Sequence, residues 1–433
     1  MIKVSRIFSV FYSILLLSRI YVIAGVYTFP LDPSLIQVAY VGMVILVSIV
    51  KIKENNYKIR KRMNTMDVAI LLLVGYLVLF GFVFINPPME QYTKAMVLRQ
   101  GLFLATVIAT VLFAHRNNYF MEVVFISFWI VAGVLLFQFI TNINDVAQIN
   151  IGNIFNISSR TRVNFGLGHY NYLGMLCSCE IILAIWLRKF GNKNRFPLFI
   201  IALSLVMLLG SASRNAIFGL VVFFLIEFYF SLEKYAFRKV YKFIIQVSLG
   251  IIVLIMALLG DSNVSLNGLL LDSNRLTLFS VALPTFFKSN RTWIGLGLAS
   301  GEIYGQNLTP YKTYWLDNGY IYTLITSGYI GITIYVVLII LFLLSYRKLK
   351  KRNNEMGVLT IATFSMYLFS ALFETTLFNG GVLLNYLLLP IFLMLLNNPG
   401  RNLSFVQCME ITNPFYRKSR FRYKGKRFLY KSL

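Results

Sequence analysis

Along most of this chain, apolar residues come in long runs, and runs of roughly 17 to 25 residues are the length a helix needs to cross the hydrocarbon core of a bilayer. Twelve such runs are centred near Leu17, Met43, Val74, Thr106, Val131, Cys177, Leu203, Phe223, Ile251, Ile334, Phe364 and Leu388. The pattern predicts an all-α integral membrane protein of about twelve transmembrane helices over residues 1–400, followed by a polar tail, 401–433. One long polar break, 260–318, interrupts the runs and holds Asp261, Asp272, Arg275, Arg291, Glu302 and Asp317 among aromatics and glycines. A second break runs from Thr141 to about Phe165, and tight turns are expected near Pro88, Ser211 and Asn379.

Inside the long break, Ser273 or Asn274 is placed to cap a short helix with Arg275 in its first turn. Its apolar residues Phe279, Ala282, Leu283 and Phe286 recur at helical spacing, which predicts an amphipathic helix lying along the membrane surface and kinked or ended by Pro284. Gly295 and Gly297, in IGLGLASG, predict a turn whose backbone closely approaches another group.

Composition agrees with the pattern. In 433 residues, 58% are hydrophobic and 16% aromatic, and the mean hydropathy is +0.71, more apolar surface than one soluble core can bury. The three cysteines, Cys177, Cys179 and Cys408, form no disulfide framework and no zinc spacing. The first apolar run follows MIKVSR, is about 23 residues long and lacks a small-residue cleavage site, so it reads as a retained helix.

The net charge of +25 changes the picture by its distribution. With an even number of spans both termini share a side, and most of the 41 Lys and Arg fall in the loops and tail on that side, including KIKENNYKIRKRMN, RKFGNKNR, YRKLKKRNN and YRKSRFRYKGKRFLYK. The positive-inside trend makes that side cytoplasmic and the 260–318 segment external. The tail then faces anionic lipid rather than nucleic acid.

Ionisable residues within the runs are Arg19, Arg99, Glu180, Glu227 and Glu374. Each either pairs or snorkels at a helix end, or lines a polar cavity; Arg99 and Glu374, nearest the external side, are the stronger candidates for a cavity. Arginine is concentrated on that side against the usual bias: Arg160, Arg162, Arg214, Arg275 and Arg291. Cations disfavoured there imply an anionic ligand, and the guanidinium fork suits phosphate oxygens. Arg214, in GSASRNAIFGL, opens a helix whose N-terminus can face the same anion, or it anchors that helix end at the headgroups. Arg291 is an anion contact or an exposed loop charge beside Trp293. Asp317 and His169 are the two groups placed to take a proton from a hydroxyl; the plainer roles are capping of the next helix for Asp317 and a buried hydrogen bond for His169. His115 falls in a short cytoplasmic turn. No Walker loop, dinucleotide fingerprint, Ser-His-Asp spacing or DxD pair is present, which argues against a cytoplasmic nucleotide-sugar donor and for a lipid-linked pyrophosphate.

Four segments together resemble the O-antigen ligase and O-antigen polymerase superfamily. GSASRNAIFGLVVF resembles its S-R-x-x-x-x-G-L helix start, and SNRLTLFSVALPTFFKSNRTWIGLGLAS its G-R-x-x-x-W…G-x-G-x loop. YWLDNGYIYTLITSGYIGITIYVVLIILFL is similar to its H/D-N-x-Y-L…G-x-x-G helix, and RVNFGLGHYNYLGML to its R-x-x-G-x-x-x-x-P-N-x-L-G segment. The likeness covers about 160–345 in the expected order, with Phe279, Asn274 and Tyr170 standing where the family carries Trp, Gly and Pro.

The resemblance implies a GT-C-like membrane glycosyltransferase that uses polyprenyl-pyrophosphate donors at the outer face of the bacterial cytoplasmic membrane, with no metal or cofactor. Arg214 and Arg275 match the arginines that engage the donor pyrophosphate, with Arg291 and Arg162 assisting, and Asp317 matches a position that is His in many ligases. The Asp favours a polysaccharide polymerase joining lipid-linked repeat units; a ligase passing finished glycan to a lipid or wall acceptor is the alternative within the family. Asp317, or else His169, orients or deprotonates the acceptor. A flippase of lipid-linked oligosaccharide is the alternative outside the family, weakened by the absence of repeated halves. Flippase and chain-length regulator proteins are the expected protein partners, membrane lipids surround the chain, and no nucleic acid is expected.

Overall fold

The computed structural model describes residues 4–23, 32–55, 64–85, 90–117, 120–150, 162–190, 195–232, short pieces between 239 and 247, 281–308, 318–375, 377 and 379–396. Ser273, Asn274, Arg160, Arg275, Asp317, the turn at Pro88 and the tail 401–433 lie outside them, as does the run centred on Ile251.

The described residues are all-helical, with no strand. The helices are α1 (Val4–Ile23), α2 (Pro33–Asn55), α3 (Thr65–Ile85), α4 (Glu90–Asn117), α5 (Phe120–Thr141), α6 (Tyr170–Phe190), α7 (Phe196–Ser211), α8 (Arg214–Ser231), α9 (Gly301–Leu308), α10 (Gly319–Arg352), α11 (Asn354–Ser370) and α12 (Leu383–Leu395). Each predicted centre except Ile251 falls inside one of them. Four helical stretches are long and apolar enough to cross a membrane: Lys94–Ala114, Phe120–Thr141, Arg214–Ser231 and Gly319–Lys351. This is the architecture of an α-helical membrane protein.

One large core unites α1–α8 with α10–α12. The outward faces are apolar as well: Leu35, Val38, Ile45, Leu46 and Ile49 on α2, and Val336, Ile340, Leu343 and Leu344 on α10, are exposed. A helix apolar all round suits lipid outside and protein inside.

The helices differ in how far they run. Trp186 Nε1 donates to Thr363 Oγ1 at 3.2 Å, and the Trp186 ring meets Phe120, the first residue of α5, at 6.0 Å. From that shared level α5 continues for about 31 Å to Thr141, whereas α11 continues for only about 10 Å to Ser370. Residues 371–375 therefore leave helical geometry inside the thickness that α5 crosses. Irregular backbone at such depth must be satisfied by protein or by a water-filled cavity.

The second interruption is in α10. Gly328 adopts φ 63 and ψ −163. The rings of Tyr320 and Tyr335 lie 6.3 Å apart, where a straight helix would separate these residues by about 22 Å. The two limbs, 319–327 and 329–352, thus fold back on one another.

The fold-back frees backbone groups, and the segment 292–297 takes them up. Leu296 N donates to Ile325 O at 2.8 Å and Gly297 N to Thr326 O at 3.0 Å; in return Tyr329 N donates to Thr292 O at 3.0 Å and Ile330 N to Trp293 O at 3.1 Å. The close approach predicted for Gly295 and Gly297 is this one, and its partner is the broken helix. Gly295 has φ 82, and a Cβ there would lie 2.3 Å from Thr326 O; a Cβ on Gly328 would lie 2.4 Å from Trp293 O. Only glycine fits at either position.

Around this clip a small second core forms from Ala282, Phe286, Leu296, Ala299, Tyr304, Leu308, Tyr322 and Ile325. Tyr322 donates to Ala299 O at 2.8 Å, and Tyr304 donates to Gly297 O. Of the kink or end expected at Pro284, the end is excluded, because the helical stretch 281–287 continues past it. Its apolar residues Ala282 and Phe286 are buried against protein instead of lying on the membrane surface, because the first limb of α10 offers them an apolar partner.

Candidate functional site

At the end of the bundle that carries His169, three sets of short contacts bring five helices together. The first places the segment 162–169. Val163 N donates to Gly210 O at 2.9 Å, the amide of Asn142 donates to Phe165 O at 3.2 Å, and the buried Phe165 ring stacks on Phe139 at 6.0 Å. This pins the segment across the ends of α5 and α7.

The second set joins α6 to α8. A Cβ on Gly174 would come within 2.5 Å of Ser213 Cβ, so glycine there is what lets the two helices touch, and Ser178 Oγ donates to Ala216 O at 3.2 Å. Arg214 follows directly as the first residue of α8, as the sequence predicts. Ser213 stands at the N-cap without a side-chain cap bond.

The third set joins α6 and α10 to the irregular segment 371–375. Asn171 Nδ2 donates to Glu374 Oε1 at 3.1 Å. Asn318 Nδ2 donates to Leu372 O at 2.9 Å, and Gly319 N donates to Ala371 O at 2.7 Å. Asn318 Oδ1 accepts from the N–H groups of Tyr320 and Ile321, both at 3.0 Å. The cap of α10 is therefore Asn318, and the plain capping role considered for Asp317 falls to its neighbour.

The side chains so positioned are chemically complementary. Arg162 lies with its guanidinium carbon 4.1 Å from the centre of the Tyr170 ring, a cation–π contact. His169 sits between Tyr170 at 4.3 Å and Tyr172 at 5.5 Å, and its Nδ1 accepts from Asn171 N at 3.2 Å. An accepting Nδ1 leaves the proton of neutral imidazole on Nε2. Partial burial, and then the charge of Arg162, hold the His169 pKa below its ordinary value. The imidazole is thus neutral near pH 7, with Nε2–H free to donate, and it can take up a proton only at Nδ1, by releasing Asn171 N.

Arg162, His169 and Arg214 are brought to one neighbourhood, with Glu374 facing them through Asn171. Arg291 is not part of it: its segment clips to the far end of α10's first limb, about 13 Å of helix from Asn318. Arg275 and Asp317 lie outside the described residues. Among the described residues, no group of three His, Cys, Asp or Glu side chains is arranged to hold a metal.

One residue of this neighbourhood was not singled out by the sequence. Both polar side-chain atoms of Asn215, next to Arg214, are buried without a hydrogen-bond partner. An unsatisfied buried amide costs about 1 to 3 kcal/mol and calls for a reason. A bound oxyanion or hydroxyl is one. The spacing S-R-N at a helix start was the signal available for it.

The remaining ionisable residues within helices divide plainly. Glu227 is ion-paired with Lys189, and Arg19 is buried against neutral acceptors. Glu180 is fully buried with neither carboxyl oxygen partnered. No protein-family model matches the chain, and no curated protein matches it in sequence.

Proposed function

We propose that the chain is a membrane glycosyltransferase that polymerises polyprenyl-pyrophosphate-linked oligosaccharide units at the outer face of the cytoplasmic membrane. In this reading the chain crosses the membrane twelve times, both termini are cytoplasmic, and the His169 end of the bundle faces outward. The observation that carries the reading is the gathering of Arg162, Arg214 and His169 around an irregular segment bearing Glu374, with the unsatisfied amide of Asn215 beside them.

The chemistry follows from these groups. The acceptor hydroxyl attacks the anomeric carbon of the donor sugar, the bond from that carbon to the pyrophosphate oxygen breaks, and the hydroxyl proton passes to a base. Charge develops on the leaving pyrophosphate, where Arg214 and Arg275 stabilise it as preorganised cations. Arg162 assists. The far placement of Arg291 suits a contact with the lipid or glycan rather than the pyrophosphate. Asp317, adjacent in sequence to the cap Asn318, receives the proton, or else His169 does, at Nδ1 once Asn171 N releases it. Glu374 holds Asn171 and through it the Nδ1 side of His169.

A ligase using the same donor would employ the same cations. A transporter of lipid-linked sugars is supported by a different observation, the two interruptions of helix, since discontinuous helices commonly frame translocation sites. Membranes carrying the wild-type chain and Arg214→Lys separate the readings. The polymerase predicts a ladder of glycan lengths in the wild type and a loss of about 100-fold or more in the variant, which keeps the charge but not the planar fork. Single-length transfer to a different acceptor indicates the ligase, and intact substrate appearing across the bilayer indicates the transporter.

A further inference from the structure

Apart from that site, the bundle buries a cation, Arg19, whose hydrogen bonds all go to neutral groups. Arg19 on α1 is only 4% exposed. Its Nη2 donates to the carbonyl of Pro33 at 2.7 Å and to Gln37 Oε1, and its guanidinium carbon lies 5.6 Å from the centre of the Tyr386 ring. All three partners are neutral. Nε is buried with no hydrogen-bond partner, and no ion pair reaches Arg19 among the described residues.

Elsewhere among the described residues, Lys189 pairs with Glu227, and Glu122 accepts from Ser9 at 2.6 Å. Glu180 is unpartnered like Arg19, but a buried carboxyl can escape its charge by keeping its proton. A guanidinium has no such route, because it does not lose its proton in proteins. A buried arginine that is hydrogen-bonded only to neutral groups, with its Nε unpartnered, gains from an anion beside it.

The surroundings sharpen that need. Arg99, exposed on α4, lies close enough for its charge to act on Arg19, as does the exposed Asp32. Asp32 is already engaged at the start of α2, where it accepts from Ser34 N at 2.7 Å. The opposite wall is fixed: Gln37 Nε2 donates to Tyr386 OH at 2.8 Å, and Gln100, next to Arg99, accepts from Gly380 N at 3.0 Å. The buried guanidinium of Arg19 is thus held beside a polar frame, with the exposed Arg99, on a different helix, near enough for the two positive charges to act on one another.

We propose that Arg19 and Arg99 together hold a phosphate-type anion between α1, α2, α4 and α12. Phosphate is the class of anion whose oxygens fit two guanidinium forks at once, and its ester is the anion met at the level where apolar helices end. Its source is a lipid headgroup or a soluble phosphate. The site stands independently of the glycosyltransferase reading.

The test uses the full-length protein in vesicles of neutral phosphatidylcholine, with thermal unfolding followed as phosphatidylglycerol or inorganic pyrophosphate is added. A ligand that binds only the folded state raises the midpoint in proportion to its affinity. The expected result is a saturable rise that survives in Arg214→Gln but needs about tenfold more ligand in Arg99→Gln, one guanidinium contact of the pair being lost. Arg99 is exposed, so this variant folds even if Arg19→Gln does not. A rise with phosphatidylglycerol alone identifies a headgroup, and a rise with pyrophosphate in neutral lipid identifies a soluble phosphate; both support the site. No rise with either ligand, or a rise unchanged in Arg99→Gln, overturns it, and a rise abolished only in Arg214→Gln overturns it in favour of the His169 neighbourhood.

Discussion

The two interruptions of helix in this bundle are satisfied in different ways. At Gly328 the freed backbone groups of α10 are taken by other backbone, four hydrogen bonds to the segment 292–297, and the fit depends on glycines that admit no side chain. Between α11 and α12 side chains join the backbone in taking them: beside Gly319 N on Ala371 O, Asn318 reaches Leu372 O, Gln100 receives Gly380 N, and Asn385 reaches Asn379 O. The first break brings no ionisable side chain into its hydrogen bonds, whereas the second carries Glu374 and lies beside Arg162, His169 and Arg214. A break closed by backbone holds shape. A break closed by adaptable polar side chains can exchange those partners for a ligand, which is why the second is the candidate site and the first its support.

Breaking the first region should have the largest effect on stability. Gly328→Ala places a methyl group within 2.4 Å of a backbone carbonyl at a positive φ, so the clip has to open. We expect a loss of about 3 kcal/mol or more, read as a fall of several degrees in the unfolding midpoint in detergent. An unchanged midpoint would mean that the limbs of α10 do not fold back at this residue.

Next comes a change in the second region that should spare the fold. Asn215→Ala removes an amide that is unsatisfied in the free protein, so its midpoint should stay level or rise by about 1 kcal/mol equivalent. Glycan transfer should nonetheless fall, by roughly tenfold for one lost hydrogen bond to a charged ligand. A midpoint that drops with full transfer retained would make Asn215 a packing residue.

The pH dependence is a smaller effect. The His169 pKa is held below 6.5, so between that value and 6.5 an unfolded chain binds a proton that the folded one does not. Stability therefore falls as pH drops through this window, and is fully present above 6.5. Transfer should fall on the same acid limb, and His169→Gln should flatten it. The smallest effect belongs to the partly exposed pair Lys189–Glu227, on the other end of the bundle, where Glu227→Gln should cost less than about 1 kcal/mol and leave transfer unchanged.

The helices themselves were legible, because an apolar run long enough for a bilayer has few other uses. The fold-back of α10 was not: its residues from Tyr329 to Leu344 are one continuous apolar run, and Gly328 is marked only by a positive φ that no pattern displays. The reading of Gly295 and Gly297 found the close approach but not its partner, since the partner's backbone is about thirty residues away and carries no side-chain signal. In YWLDNGY both Asp317 and Asn318 have the chemistry of a cap, and only geometry gives the role to Asn318. Arg291 looked equivalent to Arg162 and Arg214 because charge and proximity to a turn are all that sequence offers; the clip separates it from them. For Asn215 the sequence offered only its place after Ser213 and Arg214 at a helix start, since burial of an amide beside an arginine is a property of packing.

The most direct test of the account is to place the purified protein in liposomes with a polyprenyl-pyrophosphate oligosaccharide as sole substrate and to measure released polyprenyl pyrophosphate together with glycan length. The account predicts release coupled to a ladder of repeat units, both lost in Arg214→Gln while the unfolding midpoint is kept. Neither release nor ladder from folded protein with substrate in the outer leaflet, or equal release from Arg214→Gln, would contradict it.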